Sequence, residues 1–186
     1  MTILGAIIAG GRGRRFAAPD GRGDKGAALL RGMALIDHVA AALGKQTDDL
    51  VIVGREWPGL PSVPDRPHAG EGPLGGLCAA LHYGRGAGHD LVLCAGCDTL
   101  PVPPHLAEML APEPAVMGGH WLMGLWPSAL ADDLARWLDD QSDRSIRGWM
   151  AHTHARAVPH GMVLLNINTP ETLAEAEALF GRDQSS

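Results

Sequence analysis

Residue types that bind phosphate are concentrated near the start of the chain. Gly10, Gly11 and Gly13 follow an apolar run, and closely spaced glycines let backbone N–H groups approach a phosphate or a base. Lys25 follows in an Asp-Lys-Gly triplet, where its ammonium can meet phosphate oxygens as a point charge. The arginines of this stretch are Arg12, Arg14, Arg15, Arg22 and Arg31. The spacing matches neither the dinucleotide fingerprint nor the Walker A loop, so a glycine turn with solvated arginines stays open as an alternative.

A carboxylate and a pair of amides lie further along the chain. Asp98 follows the apolar run 91–94, and at the carboxyl end of a buried strand a carboxylate can hold Mg²⁺ against substrate phosphates. An aspartate that initiates a turn is the alternative interpretation. Asn166 and Asn168 share one face of an extended run, and the helix cap that explains Thr169 leaves both amides without a role.

A Gly-Pro-Leu-Gly-Gly segment, residues 72–76, opens a predicted helix. The free N–H groups after Pro73 offer a second backbone surface toward the same crevice. A helix start alone explains Pro73, but it does not explain Gly75 and Gly76, each of which costs up to about 1 kcal/mol relative to alanine.

Cysteine, histidine and tryptophan patterns give weaker signals. Cys94 and Cys97 form a CxxC pair without the helix start of a thioredoxin motif or the second pair of a zinc site, so we expect buried thiols. His152 and His154 share an alternating face as candidate metal ligands, although solvent-facing histidines are the favoured interpretation. Trp121 is a candidate to line a pocket for a flat ring, either by stacking on the ring or by narrowing the pocket. A place in or beside the core is the default interpretation for all four of Trp121, Trp126, Trp137 and Trp149, and for Trp121 it stays open beside the pocket.

Short apolar strands alternate with amphipathic helices in the first half of the chain. The predicted strands are residues 2–8, 50–53 and 91–94, and the predicted helices are residues 34–43 and 74–83. This alternation predicts an α/β fold with a largely parallel sheet, helices on both faces and ligands at the carboxyl ends of the strands. The later predicted elements are helix 105–110, strand 115–117, the apolar run 121–126, helix 128–138 and helix 169–180, the last with Thr169 as N-cap and Pro170 in the first position.

Composition and charge bound the class of protein. The chain has 186 residues, of which 46% are hydrophobic and 19% charged, which fits one domain over residues 1–181 and a frayed tail, 182–186. A formal net charge of −6 excludes a bulk positive field that would hold nucleic acid. Three cysteines, the lack of a signal-peptide pattern and the lack of an apolar run long enough to span a membrane lead us to expect a cytoplasmic protein without a membrane partner.

Five segments, taken together and in this order, resemble the molybdenum cofactor guanylyltransferases of the MobA type. They are residues 8–16, 24–26, 72–76, 97–99 and 166–170, and they span nearly the whole chain. The resemblance implies a single-domain, Rossmann-like (glycosyltransferase-A-like) fold. It also implies an enzyme that joins GMP from GTP to the terminal phosphate of molybdopterin or the molybdenum cofactor, with Mg²⁺, and releases pyrophosphate. Molybdoenzyme-maturation proteins are further candidate partners.

The resemblance assigns roles to particular residues. The residues that it places against the nucleotide through their backbone are Ile8, Ala9, Gly10, Gly11 and Gly13, with Gly72, Pro73 and Leu74. Arg15 and Lys25 would contact the triphosphate and Asp98 would bind the metal, and these three form the expected catalytic set. Asp65 would contact the nucleotide, and Asn168 would lie near the metal or the phosphate on the pterin side.

The sequence departs from the family pattern at several positions. The stretch 17–23 before Lys25 is longer, Gly54 stands where some members have asparagine, and Trp121 follows His120 where the family has proline. The change at Trp121 lies on the expected acceptor side. The rival functions are a related nucleotidyltransferase that uses CTP or a sugar-phosphate acceptor, and a non-catalytic nucleotide-binding or cofactor-delivery module.

Overall fold

Strands and helices alternate through most of the chain in the computed structural model, which describes residues 1–10, 24–140 and 143–182. The strands are β1 (Ile3–Ile8), β2 (Leu29–Leu30), β3 (Met33–Ala34), β4 (Asp49–Val53), β5 (Ser62–Val63), β6 (Leu91–Gly96), β7 (Thr99–Leu100), β8 (Ala115–Met117), β9 (His120–Pro127), β10 (Arg156–Val158) and β11 (Leu165–Asn166). The helices are α1 (Leu35–Leu43), α2 (Gly72–Gly86), α3 (Leu106–Leu110), α4 (Ala131–Asp140), α5 (Ile146–Thr153) and α6 (Pro170–Arg182), with short 3-10 helices at Lys25–Ala27 and Ser128–Leu130.

The central sheet has the strand order β10-β8-β9-β6-β1-β4-β5 over the described residues. β1 pairs in parallel with β4 and β6, whereas β9 is antiparallel to β6 and β8. Gly118 and Gly119 are the only residues between β8 and β9, and a connection this short can join only antiparallel strands. The predicted α/β fold with a mostly parallel sheet is confirmed.

Helices cover both faces of the sheet, as predicted. One buried cluster joins α1, α3 and α6 to side chains such as Ile7 and Leu93, and the other joins α2, α4 and α5 to Leu4 and Val92. Because alternate side chains of β1 and β6 enter opposite clusters, both strands are apolar along their whole length. The carboxyl ends of β1, β4 and β6 therefore meet at one edge of the sheet.

Some element boundaries differ from the predicted ones. α2 begins at Gly72 and extends to Gly86, and the predicted helix 128–138 is a 3-10 turn followed by α4. α5 was not predicted, because its apolar stripe of Ile146, Trp149 and Met150 is short and only Trp149 is fully buried. Thr169 accepts a hydrogen bond from the Thr172 N–H at 3.3 Å, which confirms it as the N-cap of α6.

α6 is described as far as Arg182, and the rest of the predicted tail lies outside the described residues. The division of the chain into one domain, 1–181, and a tail stays a prediction. Within the described part of the chain, none of the helices combines the length and the apolar character that crossing a membrane requires.

Candidate active site at the carboxyl edge of the sheet

Lys25 is the centre of a polar cluster at this edge. Its Nζ donates a hydrogen bond to Asp98 Oδ2 at 2.5 Å and another to Asn168 Oδ1 at 2.8 Å. The side chains of Lys25 and Asp98 are 22% and 18% exposed, so the cluster is accessible from solvent while much of its charge is screened from water. Three residues predicted for the phosphates and the metal are thus brought together from distant parts of the chain.

The Asp-Lys-Gly triplet holds Lys25 in place. Asp24 caps the 3-10 helix by accepting the Gly26 N–H at 3.0 Å, and its carboxylate binds both terminal nitrogens of Arg55, which follows β4. The hydrogen bonds from Arg55, helped by its charge, hold the pKa of Asp24 below its ordinary value. A Cβ on Gly26 would lie 2.6 Å from Ile36 Cδ1 and 2.8 Å from Arg55 Nη1, so a larger residue would have to displace one of these side chains. Sequence reasoning missed Arg55, because an ion-pair partner in a distant loop leaves no local pattern.

A two-stranded ribbon brings Asn168 to the cluster. β11 pairs antiparallel with β7, with Asn166 opposite Thr99, and the Ile167 N–H donates to the Asp98 carbonyl at 2.7 Å. Ile167 is fully buried, which anchors the segment in the core. Asn168 Nδ2 donates to Asn166 Oδ1 at 2.8 Å. The two asparagines that helix capping left unexplained therefore contact each other, and Asn168 also contacts Lys25.

Gly10, the first glycine after β1, lies against Gly54 and Asp65. Gly54 has φ +86°, and a Cβ there would lie 2.4 Å from the Gly10 Cα, so the two backbones are in close contact. Asp65 Oδ1 lies 3.0 Å from the position that a Gly10 Cβ would take. This oxygen is buried and has no hydrogen-bond partner among the described residues. The Asp65 oxygen can therefore still accept a hydrogen bond, and it faces Gly10, which is predicted to contact the nucleotide.

The Gly-Pro-Leu-Gly-Gly segment serves close packing as well as the crevice. A Cβ on Gly76 would lie 2.8 Å from Ile8 Cγ2, and one on Gly75 would lie 2.5 Å from Glu71 Cβ. These contacts explain the two glycines that a helix start does not require. Pro73 is exposed at the crevice, but the Leu74 side chain is fully buried, so Leu74 can reach a ligand only through its backbone.

A cavity of about 430 Å³ opens beside Asp98. Its described lining residues are Pro73, Asp98, Thr99, Gly119, His120, Trp121, Leu122, Met123, Ser145, Ile146, Arg147 and Asn166. Trp121 lines this cavity and is half-buried. It is not enclosed in the core, so its side chain is accessible to a ligand in the cavity. The Arg147 guanidinium carbon lies 5.3 Å from the centre of the Trp121 ring. Burial, and then the charge of His160, lower the pKa of His120 and favour its neutral form.

With the site described, comparison with known proteins identifies the family. The sequence profile of the MobA-like NTP transferase domain matches residues 5–158. The chain belongs to the MobA-like NTP transferase family. A molybdenum cofactor guanylyltransferase from Cereibacter sphaeroides is 39% identical to it over 198 residues, which cover 98% of this chain and 100% of the relative. One from Acidiphilium cryptum is 34% identical over 189 residues, which cover 95% of this chain and 94% of the relative.

Solved structures agree on the fold of this MobA-like NTP transferase. The crystal structure of molybdopterin-guanine dinucleotide biosynthesis protein A from Archaeoglobus fulgidus superimposes with a TM-score of 0.73 at 22% identity, covering 96% of this chain and 99% of that chain. The Rossmann-like arrangement implied by the sequence resemblance is therefore confirmed.

Several predicted site residues of this MobA-like chain lie outside the described residues. They are Gly11, Gly13 and Arg15, together with Arg12, Arg14, Arg22 and the long stretch 17–23. Their roles stay predictions. Lys25, which follows that stretch, reaches Asp98 all the same.

His152 and His154 are both exposed, which confirms the favoured solvent-facing interpretation, but the alternating face predicted for them is wrong. His152 and His154 do not alternate along a strand: His152 lies in α5, and His154 ends that helix with φ 55°. His152 Nε2 lies 3.0 Å from Asp133 Oδ2, and its ring packs on Trp149 with centroids 5.2 Å apart. In the described segments, no group of three or more His, Cys, Asp or Glu side chains is arranged to hold a metal ion.

The cysteines are buried and free, as predicted. Cys94 and Cys97 are both free thiols, and so is Cys78 on α2. Burial raises the pKa of Cys94 to about 12 and that of Cys97 to about 11. Thiols of this kind stay protonated at neutral pH, which excludes a thioredoxin-like role for the CxxC pair.

Proposed function

We propose that the protein transfers GMP from GTP to the terminal phosphate of molybdopterin or its molybdenum form. The observation that carries the proposal is the cluster of Lys25, Asp98 and Asn168, which has Gly10 and Asp65 on the β1 side and the cavity on the β9 side. This arrangement offers one place for a nucleotide and one for an acceptor, with a cation between them. The name shared by the relatives, molybdenum cofactor guanylyltransferase, supports the choice of reaction.

The reaction needs positioning and charge neutralisation more than acid–base chemistry. An oxygen of the acceptor phosphate attacks the α-phosphorus of GTP, the bond to the β-phosphate oxygen breaks, and pyrophosphate leaves with the electron pair. Lys25 supplies positive charge where negative charge accumulates on the phosphates. The unpartnered Asp65 oxygen suits the N–H donors on the edge of guanine, and the backbone at Gly10 can approach the base closely because it has no Cβ.

The cluster has the donors that Mg²⁺ prefers. Asp98 Oδ2 and Asn168 Oδ1 both face the same position, which the Lys25 ammonium occupies in this structure. Carboxylate and amide oxygens at a cationic position are ligands that suit Mg²⁺. We assign Asp98 as the carboxylate that would hold Mg²⁺, with Asn168 Oδ1 beside it. When bound, the ion would neutralise phosphate charge and complete its coordination with phosphate oxygens and water.

The reaction takes place in the cytoplasm in our proposal, and its product passes to molybdoenzyme-maturation proteins. Three free, buried thiols agree with a reducing compartment.

Incubation of the protein with Mg²⁺, purified molybdopterin and each of the four nucleoside triphosphates in turn tests the function, with the product read by mass. Of the four nucleoside triphosphates, we expect only GTP to give a product. Its mass should equal that of molybdopterin plus one GMP, with an equal amount of pyrophosphate released. A product from CTP, or from a sugar phosphate offered as acceptor, would support the rival transferases. Tight GTP binding without any product would support the non-catalytic module.

A further inference from the structure

We infer that Trp121 and Arg147 form a platform in the cavity that recognises the ring system of the acceptor. The inference rests on the proposed function for the reaction itself. It adds two residues that determine acceptor specificity, and it assigns the ligand class as a flat fused heteroaromatic ring that carries a phosphate monoester.

The strand register fixes Trp121 beside the polar cluster. β9 runs antiparallel to β6 with Gly124 opposite Cys94, so Trp121 lies three positions further toward the carboxyl end of β6. Residues 120–122 are half-buried and line the cavity, whereas residues 123–126 are buried in the core. The indole is therefore held by a rigid strand at the level of Asp98, which also lines the cavity.

Helix stability does not explain Arg147. It is the second residue of α5, where a positive charge opposes the helix dipole, and Ser145 already caps this end by accepting the Gly148 N–H. Among the residues that the structure describes, no carboxylate forms an ion pair with Arg147. Its guanidinium lies over the Trp121 ring instead, and both side chains line the cavity.

The cavity has both apolar and polar lining. Leu122, Met123 and Ile146 line it together with Trp121, and Asp98 and Asn166 connect it to the cluster. Its volume of about 430 Å³ is within the range that holds a small ligand with fused rings. A ring packed against the indole and the guanidinium gains dispersion and cation–π attraction, and the N–H groups at the guanidinium edge can donate to ring carbonyl or nitrogen atoms. The phosphate monoester of the same ligand then points toward Lys25.

The charges around the cavity fit an anionic ligand. Asp98 is the only carboxylate among the described lining residues, and the Lys25 ammonium neutralises it. Arg147 then leaves the described lining with a net positive charge. The ring of a sugar phosphate has no aromatic face to stack on Trp121 or to attract the Arg147 guanidinium, so the platform favours a pterin-like acceptor over a sugar phosphate.

Direct binding of a stable probe tests the platform without requiring turnover. The probe is 6-hydroxymethylpterin monophosphate, a pterin ring with a phosphate monoester, measured by equilibrium dialysis. We expect Trp121→Ala and Arg147→Ala each to weaken probe binding about tenfold and Trp121→Phe to retain most of it. Arg136→Ala, on α4 outside the cavity lining, is the matched arginine control and should bind the probe as the wild type does. The Kd for GTP should be unchanged in all four variants, which also shows that they fold.

A transfer assay separates this inference from the proposed function. With molybdopterin, Trp121→Ala and Arg147→Ala should raise the KM for the acceptor and leave the KM for GTP as it is. Wild-type transfer combined with unchanged acceptor KM in both variants would overturn the platform while the proposed function stands. Tighter acceptor binding by Trp121→Ala, or no probe binding by the wild type, would also overturn it. Platform-dependent probe binding without any wild-type transfer would keep the platform and reject the proposed function.

Discussion

Asp98 lines the cavity, accepts a hydrogen bond from the Lys25 ammonium and is the proposed ligand of the metal. Asp98→Asn keeps the volume of the side chain and removes its charge. We expect kcat for GMP transfer to fall by about 10²- to 10³-fold at ordinary Mg²⁺ concentration, with a melting temperature close to that of the wild type. Steady-state transfer and thermal unfolding measure the two effects. Asp140→Asn, exposed at the end of α4, is the control, and a near-normal kcat for Asp98→Asn would contradict the assignment.

Lys25 and Lys45 are the two lysines of the chain, and they offer a matched pair. Lys25→Ala removes the ammonium placed beside Asp98 and Asn168, so kcat/KM for GTP should fall by about 10²-fold or more. Lys45 is exposed beyond α1, and Lys45→Ala should leave kcat/KM unchanged. Equal effects of the two substitutions would show that Lys25 is only a surface charge.

At the scale of elements, the ion pair between the turn of Lys25 and the loop after β4 offers a test of positioning. Arg55→Ala frees Asp24, and we expect kcat/KM for GTP to fall by roughly tenfold because Lys25 is then held less firmly. Arg85→Ala removes a similar two-bond pair with Asp132, with both bonds at 2.7 Å, between α2 and α4. This control should keep full activity.

The same pair predicts the direction of a pH effect. Arg55 lowers the pKa of Asp24 in the folded protein, so the pair stabilises the fold above the unfolded-state value, which is near 3.8, and this stabilisation is lost as pH falls through the lower folded-state value. In Arg55→Ala, Asp24 takes up its proton at a higher pH. The acid limb of the activity profile should therefore move to higher pH in this variant and stay in place in Arg85→Ala.

Two glycines of α2 differ in how closely they pack: Gly76 contacts β1, whereas the space beside Gly86 is open in the described part of the chain. Gly76→Ala places a Cβ 2.8 Å from Ile8 Cγ2, and the resulting overpacking should cost about 1–3 kcal/mol of unfolding free energy. Gly86→Ala at the other end of α2 meets nothing within 4 Å, and it should be neutral or stabilise by up to about 1 kcal/mol. Urea unfolding monitored by circular dichroism measures both. A stable Gly76→Ala variant would mean that α2 can shift away from β1 without penalty.

Much of the element pattern could be predicted because burial leaves a periodic trace. β1 and β6 are continuous apolar runs, and α1 has its four buried residues on one stripe. α5 leaves a weaker trace, because only Trp149 is fully buried and Ile146 and Met150 pack on the core while partly exposed. The antiparallel direction of β9 follows from the two-glycine connection between β8 and β9. The predicted strand positions alone do not indicate this direction.

The part of the candidate site that lies in recognisable motifs could be predicted from the sequence. Lys25, Asp98 and Asn168 belong to motifs whose order along the chain is specific, so they could be assigned together. Arg55 and Arg147 act through partners distant in sequence, namely Asp24 and Trp121, and neither pair has a spacing that signals contact. Only the fold shows them.

At the scale of the whole molecule, the three cysteines report on both faces of the sheet. Cys97 belongs to the cluster with α1, whereas Cys78 and Cys94 belong to the cluster with α2. Burial raises the pKa of all three, to about 11 for Cys78 and Cys97 and about 12 for Cys94. We expect the native protein to resist a thiol reagent at pH 8, and all three thiols to react together through a single urea transition. Earlier reaction of Cys97 alone would show that the two faces open separately.

The ribbon of β7 and β11 has a consequence for how the protein is made. Lys25 and Asp98 are synthesised well before Asn168, and the buried Ile167 that anchors the ribbon leaves the ribosome only with the last part of the described chain. A nascent chain that ends after α5 holds both charged residues, but it lacks the Asn168 amide and the β11 strand that complete the cluster. Chains released before Asn168 is made should therefore handle GTP poorly, and competence for the reaction should arise only after β11 has emerged and paired with β7.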